Sequence, residues 1–215
     1  SNNEIITTDM GTGLLSGYQA INIKYEQKLF TSTGLGEMGY GLPSAIGASV
    51  ANNNKKVICL NTDGGIMMNL QELQTVVHYN LPIKIFIFNN DGYLMIKHTQ
   101  KALFNGRYSG TNPASGVSCP NYSKIALAFG IEYYSIKTWD DFNKKIAPAL
   151  NNNKYCIIEV FMDPEQPLVP KLGVVIKEDG TLVSPPLENL SPLLPRDELE
   201  ANMLIPLHTK SNDLS

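Results

Sequence analysis

The chain of 215 residues is long enough for one large domain, or for one domain with an appendage. Hydrophobic residues make up 43% of it and charged residues 17%, which is typical of a folded protein rather than a disordered one. The net charge of −3 gives no electrostatic basis for binding nucleic acid or an anionic membrane surface. No membrane-spanning segment or signal peptide is recognisable, and the three cysteines are too scattered for a disulfide or metal-binding pattern. We therefore expect a cytoplasmic protein with free thiols.

Apolar runs and helical patterns alternate along most of the chain. Strands are predicted at residues 56–60, 83–88, 131–136 and 156–161, and helices at 42–51, 68–79, 122–129 and 139–150. Such alternation is typical of parallel βαβ units. The sequence therefore predicts a doubly wound α/β fold, with a mostly parallel sheet and helices on both faces.

The chain changes in character after Met162. Eight of the 13 prolines lie in the last 52 residues, where they disfavour helices and central strands. We predict an α/β domain over residues 1–163 and a proline-rich tail over 164–215. Within the tail, Asp179-Gly180 predicts the turn of a small hairpin.

Polar motifs follow two successive predicted strands: Asp63-Gly64-Gly65 and Asn90-Asp91-Gly92. Each could be an ordinary turn, since Asp-Gly is a common turn dipeptide. The carboxyl ends of parallel strands, however, are where open α/β sheets bind ligands. The Asp63 carboxylate, the Asn90 amide oxygen and the Gly92 carbonyl suit Mg²⁺, and the glycines after Asp63 would allow backbone amides to approach an anion. Together the motifs predict a site for a metal ion and a diphosphate.

From Gly34 to about Pro170 the chain resembles the diphosphate-binding domain of thiamine-diphosphate enzymes, in the acetolactate synthase-like branch. The resemblance rests on "GLGEMGYGLPSAIGA", "TDGGIMMNLQELQTVVHYNLPIKIFIFNNDGY" and "EVFMDPEQPLVP". It implies a carboligase or lyase that uses thiamine diphosphate and Mg²⁺, with a 2-oxo acid as donor and a second carbonyl compound as acceptor.

The resemblance also implies a role for individual residues. Met38 would lie beneath the thiazolium ring as an apolar wedge. Met68 and Met95 would line the substrate pocket, and His98 could face it. The metal ligands would be Asp63, Asn90 and the Gly92 carbonyl, and the cofactor-binding residues would be Gly36, Met38, Gly64, Gly65, Asn90, Tyr93 and Met95.

Three positions depart from the family pattern. Thr62 replaces the first glycine of the Gly-Asp-Gly signature, so the backbone before Asp63 is expected to be less free. Ile96 stands where pyruvate decarboxylase-like relatives carry a glutamate that protonates the reaction intermediate and releases an aldehyde. Because isoleucine cannot transfer a proton, carboligation is favoured. Thr99 stands where acetolactate synthases often present a tryptophan, which would allow a bulkier acceptor.

No catalytic residue is predicted in this chain. In the family, the glutamate that activates the cofactor lies in a separate pyrimidine-binding domain, on the same longer chain or on a partner subunit, in a dimer or tetramer. The carboxylates that precede the first family motif, Glu4, Asp9 and Glu26, are expected in loops with nothing to bury them. Two alternatives stay open: the small subunit of a two-chain 2-oxo acid decarboxylase, and a binding or assembly module without turnover.

Overall fold

The computed structural model describes residues 3–177 and 179–214. The chain divides into two compact units, residues 1–166 and residues 167–215. The domain boundary that the sequence suggests after residue 163 stays a prediction. Among the described residues, no helix has both the length and the apolar character needed to cross a membrane.

The first unit is built on a six-stranded sheet in which every strand pair is parallel. Its strands are β1 (Ile5–Thr8), β2 (Lys28–Phe30), β3 (Val57–Thr62), β4 (Ile83–Asn89), β5 (Glu132–Ile136) and β6 (Cys156–Phe161). Their order across the sheet is β2-β1-β3-β4-β6-β5. This arrangement confirms the predicted doubly wound α/β class. Strands β1 and β2 are additions, since the sequence gives no clear signal for either.

Helices cover the sheet and connect its strands. They are α1 (Thr12–Ala20), α2 (Gly41–Ala51), α3 (Asp63–Ile66), α4 (Leu73–His78), α5 (Leu94–Leu103), α6 (Tyr122–Phe129) and α7 (Trp139–Asn151). Helices α1 and α5 are not predicted from sequence. The predicted helix at 68–79 is interrupted, because a 3₁₀ segment (Met67–Glu72) with a kink at Asn69 precedes α4.

Apolar side chains pack on both faces of the sheet. The larger cluster includes alternate residues of the central strands, such as Cys59 and Ile85, together with side chains of α2, α4 and α6. The smaller cluster joins β5 and β6 to α7. Ile157 of β6 belongs to the first cluster and Ile158 to the second, as expected when successive side chains of a strand point to opposite faces.

The second unit contains little regular structure. Strands β7 (Val175–Ile176) and β8 (Leu182–Val183) pair antiparallel around Gly180, which confirms the predicted hairpin. Helix α8 (Arg196–Asn202) and a 3₁₀ segment (Thr209–Leu214) follow.

The order in which strands are added to the parallel sheet reverses between β1 and β3. From β1 it proceeds to β2 on one side and then crosses to β3 on the other side. In open α/β sheets, the crevice beyond the carboxyl ends of the strands at such a switch point is the usual ligand site. The topology therefore directs attention to the residues that directly follow β1, β3 and β4.

Candidate active site

Each of these three strands is followed by a buried polar side chain. Asp9 follows β1, Asp63 follows β3 and Asn90 follows β4; the two aspartates are fully buried and Asn90 is 5% exposed. A buried polar atom normally has a hydrogen-bond partner, so exceptions are informative. Among the described residues, the buried side-chain nitrogen and oxygen atoms that lack one are Thr8 Oγ1, Asp9 Oδ2, Asp63 Oδ1, Asn90 Oδ1 and Arg196 Nη2. Four of these five atoms lie at this one edge of the sheet.

The predicted metal ligands are brought together by the carboxylate of Asp63. Its Oδ2 accepts hydrogen bonds from the backbone amides of Asn90 (3.1 Å) and Gly92 (3.0 Å). The Asp63 carbonyl accepts a hydrogen bond from the hydroxyl of Tyr122, which lies on α6. The remaining oxygens, Asp63 Oδ1 and Asn90 Oδ1, are buried without a partner in the described part of the chain. Two unpaired acceptors at adjacent strand ends fit a bound cation.

The loop after β4 depends on a glycine. Asp91 and Gly92 both have positive φ angles, 60° and 142°. A side chain at position 92 would place its Cβ 2.2 Å from the Thr111 carbonyl oxygen, which also accepts a hydrogen bond from the Tyr93 amide (2.8 Å). Only glycine fits this position, where the backbone turns back towards Asp63.

Burial raises the pKa of the Asp63 carboxyl to about 6, while the backbone amides of Gly92, Gly64 and Asn90 and the nearby Cys119 thiol lower it. A bound cation would favour the ionised form. In residues 3–177 and 179–214 no cluster of three or more His, Cys, Asp or Glu side chains could hold a metal. A set of one carboxylate with neutral oxygens is the kind of site that Mg²⁺ uses when phosphate oxygens and water complete its coordination.

A mostly apolar pocket adjoins the loop after β4. It is lined by Met10, Gly11, Thr12, Gly36, Met38, Thr62, Asn90, Gly92, Tyr93, Leu94, Met95 and Ile96. The structure thus brings five of the predicted cofactor-binding residues into one pocket: Gly36, Met38, Asn90, Tyr93 and Met95. Their role in binding a cofactor stays a prediction.

Gly64 and Gly65 lie beside this pocket rather than in its lining. A Cβ at Gly64 would lie 2.3 Å from a ring carbon of Tyr93, so that ring covers the glycine. The Gly65 amide already donates to Thr62 Oγ1 (3.1 Å), and a Cβ at Gly65 would lie 2.1 Å from Asp9 Oδ2. Close packing therefore accounts for both glycines, and their predicted contact with a diphosphate is untested.

Thr62 does not restrict the backbone in the way the sequence suggests. Its φ of −119° and ψ of 158° are extended values that any residue adopts, so this position does not require glycine. Its hydroxyl caps the short helix α3 by accepting the Gly65 amide. The replacement adds a hydrogen bond at no backbone cost.

The expectation for Asp9 is wrong. Asp9 is fully buried at the end of β1, and its Oδ1 accepts hydrogen bonds from the amides of Met10 (2.9 Å), Gly39 (2.9 Å) and Tyr40 (3.1 Å). Burial raises the pKa of its carboxyl, while these hydrogen bonds oppose the rise. A polar run around Asp9 suggests a loop, but β1 pairs with both β2 and β3 and carries Asp9 into the interior.

The start of α1 is a part of the pocket that sequence reasoning misses. Gly11 has a φ of 92° and directly precedes α1, and Thr12 is buried at its first position. The Asn90 side-chain amide donates to Thr12 Oγ1 across 3.5 Å, which connects α1 to the loop after β4. The signal available in the sequence was Gly11-Thr12-Gly13, which begins two residues after Asp9.

His98 and Met68 do not line this pocket, and the expected role of Thr99 stays a prediction. His98 lies outside the pocket and donates from Nε2 to the Gln166 carbonyl (3.0 Å). Met68 is 47% exposed and packs its Cβ against Gly39 rather than lining the pocket. The Thr99 hydroxyl bonds to the Met95 carbonyl one helical turn earlier (3.2 Å).

The arrangement of these residues agrees with the family to which the sequence is similar. Residues 9–160 match the family described as "Thiamine pyrophosphate enzyme, C-terminal TPP binding domain". This match spans most of the chain, which therefore belongs to that family and is a thiamine diphosphate-binding domain.

The curated relatives place the domain among the acetolactate synthase-like enzymes. The chain is 40% identical over 144 residues to the acetolactate synthase large subunit of Porphyra purpurea, covering 67% of this chain and 24% of that protein. It is 37% identical over 169 residues to the acetolactate synthase isozyme 2 large subunit of Escherichia coli, covering 77% and 30% respectively. The probable acetolactate synthase large subunit of Methanococcus aeolicus is 36% identical over 166 residues, with coverage of 77% and 27%. The chain thus spans about a quarter of the length of these relatives.

Proposed function

We propose that this domain binds Mg²⁺ and thiamine diphosphate as one half of the active site of a 2-oxo acid decarboxylating carboligase. The observation that carries the proposal is a pair of buried oxygens at neighbouring strand ends, Asp63 Oδ1 and Asn90 Oδ1, which have no hydrogen-bond partner among the described residues. Leaving two such acceptors without a donor or a cation would be costly. Mg²⁺ would be held by these two oxygens and by the carbonyl of Gly92.

The diphosphate would lie between the metal ligands and the start of α1. Gly11 and Thr12 line the pocket there, and the first amides of α1 have no partner within the helix. The helix dipole also favours an anion at this end. When bound, thiamine diphosphate would supply a nucleophilic carbon for addition to a 2-oxo acid and an electron sink for the loss of CO₂.

The apolar side of the pocket would hold the ring portion of the cofactor and limit the access of water. Met38 and Met95 line it from two different elements, the segment before α2 and helix α5. Thioether side chains adapt well to the surface of a ring. Both methionines would orient the cofactor without taking part in proton transfer.

Ile96 supports ligation rather than release of an aldehyde. It lines the pocket and is 49% exposed, so it can contact a substrate carbonyl. A side chain that cannot donate a proton would not protonate the reacting carbon after the loss of CO₂, which favours attack on a second carbonyl compound. In an assembly with a pyrimidine-binding domain, Ile96→Glu should raise the ratio of aldehyde to ligation product from pyruvate, measured by chromatography. An unchanged ratio would mean that residue 96 does not contact the reacting carbon.

Asp9 does not supply the missing carboxylate that activates the cofactor. One of its oxygens is occupied by three backbone amides, and the other lies against Gly65 in the interior. We therefore propose that a pyrimidine-binding domain, on the same longer chain or on a partner subunit, contributes the activating glutamate. The domain alone should then bind its ligands but show little turnover.

The proposal is tested by thermal unfolding of the chain with Mg²⁺ and thiamine diphosphate. At about 100 times the Kd, the ligands should stabilise the fold by about 2.7 kcal/mol, and EDTA should remove this stabilisation. Asp63→Ala should abolish the ligand-induced shift in melting temperature. Asp179→Ala is the matched control, because this exposed carboxylate also accepts a backbone amide, that of Thr181, yet lies in the hairpin. A shift that survives both EDTA and Asp63→Ala would contradict the proposed metal site.

A further inference from the structure

The segment that carries Met38 is held in place at one peptide group. We call residues 34–40, between β2 and α2, the Met38 loop. The amide of Gly39 donates to Asp9 Oδ1 (2.9 Å), and the carbonyl of the same residue accepts from Asn69 Nδ2 (2.7 Å). Side chains from two separate elements therefore fix both polar groups of the residue that directly follows Met38.

Asp9 forms the rigid side of this arrangement. It is fully buried at the end of β1, a strand that pairs on both of its edges. Besides Gly39, its Oδ1 accepts the amides of Met10 and Tyr40, so one oxygen fixes three backbone groups. Hydrogen bonds to an ionised acceptor are stronger than those to a neutral one, and burial strengthens them further.

Asn69 forms the opposite side, and its backbone is adapted to do so. Its φ of −138° interrupts the helical path of the 3₁₀ segment, and its side chain turns to the Gly39 carbonyl. Gly39 has a φ of 88°, and a Cβ there would lie 2.6 Å from the Cβ of Met68. The loop is thus pressed against the kink, in a conformation that only glycine adopts readily.

We propose that Asp9 and Asn69 are positioning residues that clamp the Met38 loop and so set how Met38 meets the ring portion of the cofactor. This inference rests on the proposed function. Met38 itself is 36% exposed and lines the pocket, so the position of its side chain depends strongly on its backbone. Asn69 does not line the pocket, so its loss should leave the diphosphate and metal subsites intact, whereas Asp9 also holds the Met10 amide and lies against Gly65.

Two probes separate the clamp from the rest of the site. Thiamine diphosphate with Mg²⁺ would engage both subsites, whereas inorganic diphosphate with Mg²⁺ would engage only the metal and phosphate subsite. In the full chain, Asn69→Ala should weaken binding of thiamine diphosphate about tenfold, measured by calorimetric titration, because a positioning hydrogen bond is lost. Binding of inorganic diphosphate should change by less than about twofold. A purely structural role for Asn69 would change both affinities together or neither.

Variants at Asp9 and a matched asparagine complete the comparison. Asp9→Ala should weaken binding of thiamine diphosphate at least as much as Asn69→Ala, because Asp9 also holds the Met10 and Tyr40 amides, and Asp9→Asn, which keeps an acceptor oxygen, should restore most of that affinity. Asn202→Ala is the control, since Asn202 also donates to a backbone carbonyl (Glu198, 2.8 Å) but lies in α8. If Asp9→Ala fails to fold, the comparison of Asn69→Ala with Asn202→Ala decides the outcome. If the wild-type chain binds neither probe, the proposed function fails and this inference fails with it.

The ligand-free protein offers a second measurement. With ¹³C-labelled methionine methyl groups, the Met38 resonance, assigned with Met38→Leu, should shift and sharpen in Asn69→Ala as the loop gains mobility. The resonance of Met203 should not change, because Met203 follows α8 and does not line this pocket. An unchanged Met38 resonance, or equal loss of affinity for both diphosphate probes, would overturn the clamp.

Discussion

Asp9 and Asp63 occupy nearly equivalent positions in the fold, but the second carboxylate oxygen of each has different surroundings. Each aspartate directly follows a strand of the sheet, is fully buried, and uses one oxygen to accept amides from another loop. In each, the other oxygen has no hydrogen-bond partner in the described part of the chain. Beside Asp63, the adjacent strand end carries a second such oxygen, Asn90 Oδ1. The corresponding oxygen of Asp9 instead faces the backbone of Gly65.

If Asp63 holds the metal as proposed, the comparison implies that a buried carboxylate after a β-strand is not sufficient for a metal site. What distinguishes Asp63 is the company of further oxygen donors, from Asn90 and Gly92, which a cation requires. What distinguishes Asp9 is that Gly65 packs against one carboxylate oxygen, while the other oxygen accepts hydrogen bonds from backbone amides. The following predictions test this difference, in order of decreasing expected effect.

The largest effect should come from adding a methyl group beside each carboxylate. The Cβ of Gly65→Ala would lie 2.1 Å from Asp9 Oδ2, which cannot move without breaking three hydrogen bonds. The free energy of unfolding should fall by about 3 kcal/mol, measured by denaturant titration. Gly64→Ala should cost only about 1 kcal/mol, because its Cβ meets the ring of Tyr93, which can turn into the pocket. A greater cost at Gly64 would show that Asp9 has room to adjust.

The pH dependence of stability should reverse its sign when the metal is added. The pKa of Asp63 is raised from 3.8 to about 6 in the metal-free fold, so the folded state binds the proton more tightly than the unfolded chain. The stabilisation that the protonated Asp63 contributes to the fold is fully present below the unfolded pKa of 3.8 and is lost as the pH rises through about 6. Relative to Asp63→Asn, the metal-free chain should therefore lose up to about 3 kcal/mol between about pH 4 and pH 7.

Bound Mg²⁺ requires the ionised carboxylate, so the stabilisation that it provides with diphosphate should grow over the same range. Denaturant titrations with and without Mg²⁺, at a series of pH values, measure both trends. Asp63→Asn is the control that removes this titration while leaving that of Asp9 in place. Parallel pH profiles for the two proteins would contradict the assignment of the raised pKa to Asp63.

A smaller effect is expected at Thr62, which connects the two carboxylates through Gly65. Thr62→Val keeps the shape of the side chain but removes the hydroxyl that accepts the Gly65 amide. Unfolding free energy should fall by about 1 kcal/mol, the usual cost of losing a helix N-cap. Thr138→Val, which removes the corresponding cap of α7, is the matched control for the cost of a cap away from the site. No loss at Thr62 would mean that the Gly65 amide finds another acceptor.

Much of the fold could be predicted from sequence because the central strands carry continuous apolar runs. Strands β3, β4 and β6 are buried on both faces, and their runs are confirmed almost residue for residue. Strand β1 has only four residues and ends in Thr7 and Thr8, which are polar yet buried. Its burial comes from pairing with β2 and β3, which no local pattern indicates.

The same distinction applies to the site. Asp63, Asn90 and Gly92 could be predicted together because each belongs to a short motif at the end of a recognisable strand. Asp9 could not, since its partners Gly39 and Tyr40 lie 30 and 31 residues further along the chain. The kink at Asn69 was missed for a similar reason: a tertiary hydrogen bond to Gly39 overrides a good helical pattern.

The most direct test of the difference between the two carboxylates is a calorimetric titration of Mg²⁺, in the presence of inorganic diphosphate, into Asp63→Asn and Asp9→Asn. Both variants remove one negative charge and keep the size of the side chain. We predict that Asp63→Asn weakens Mg²⁺ binding at least about tenfold, whereas Asp9→Asn changes it by less than about threefold. Equal losses in the two variants, or a greater loss in Asp9→Asn, would contradict the account.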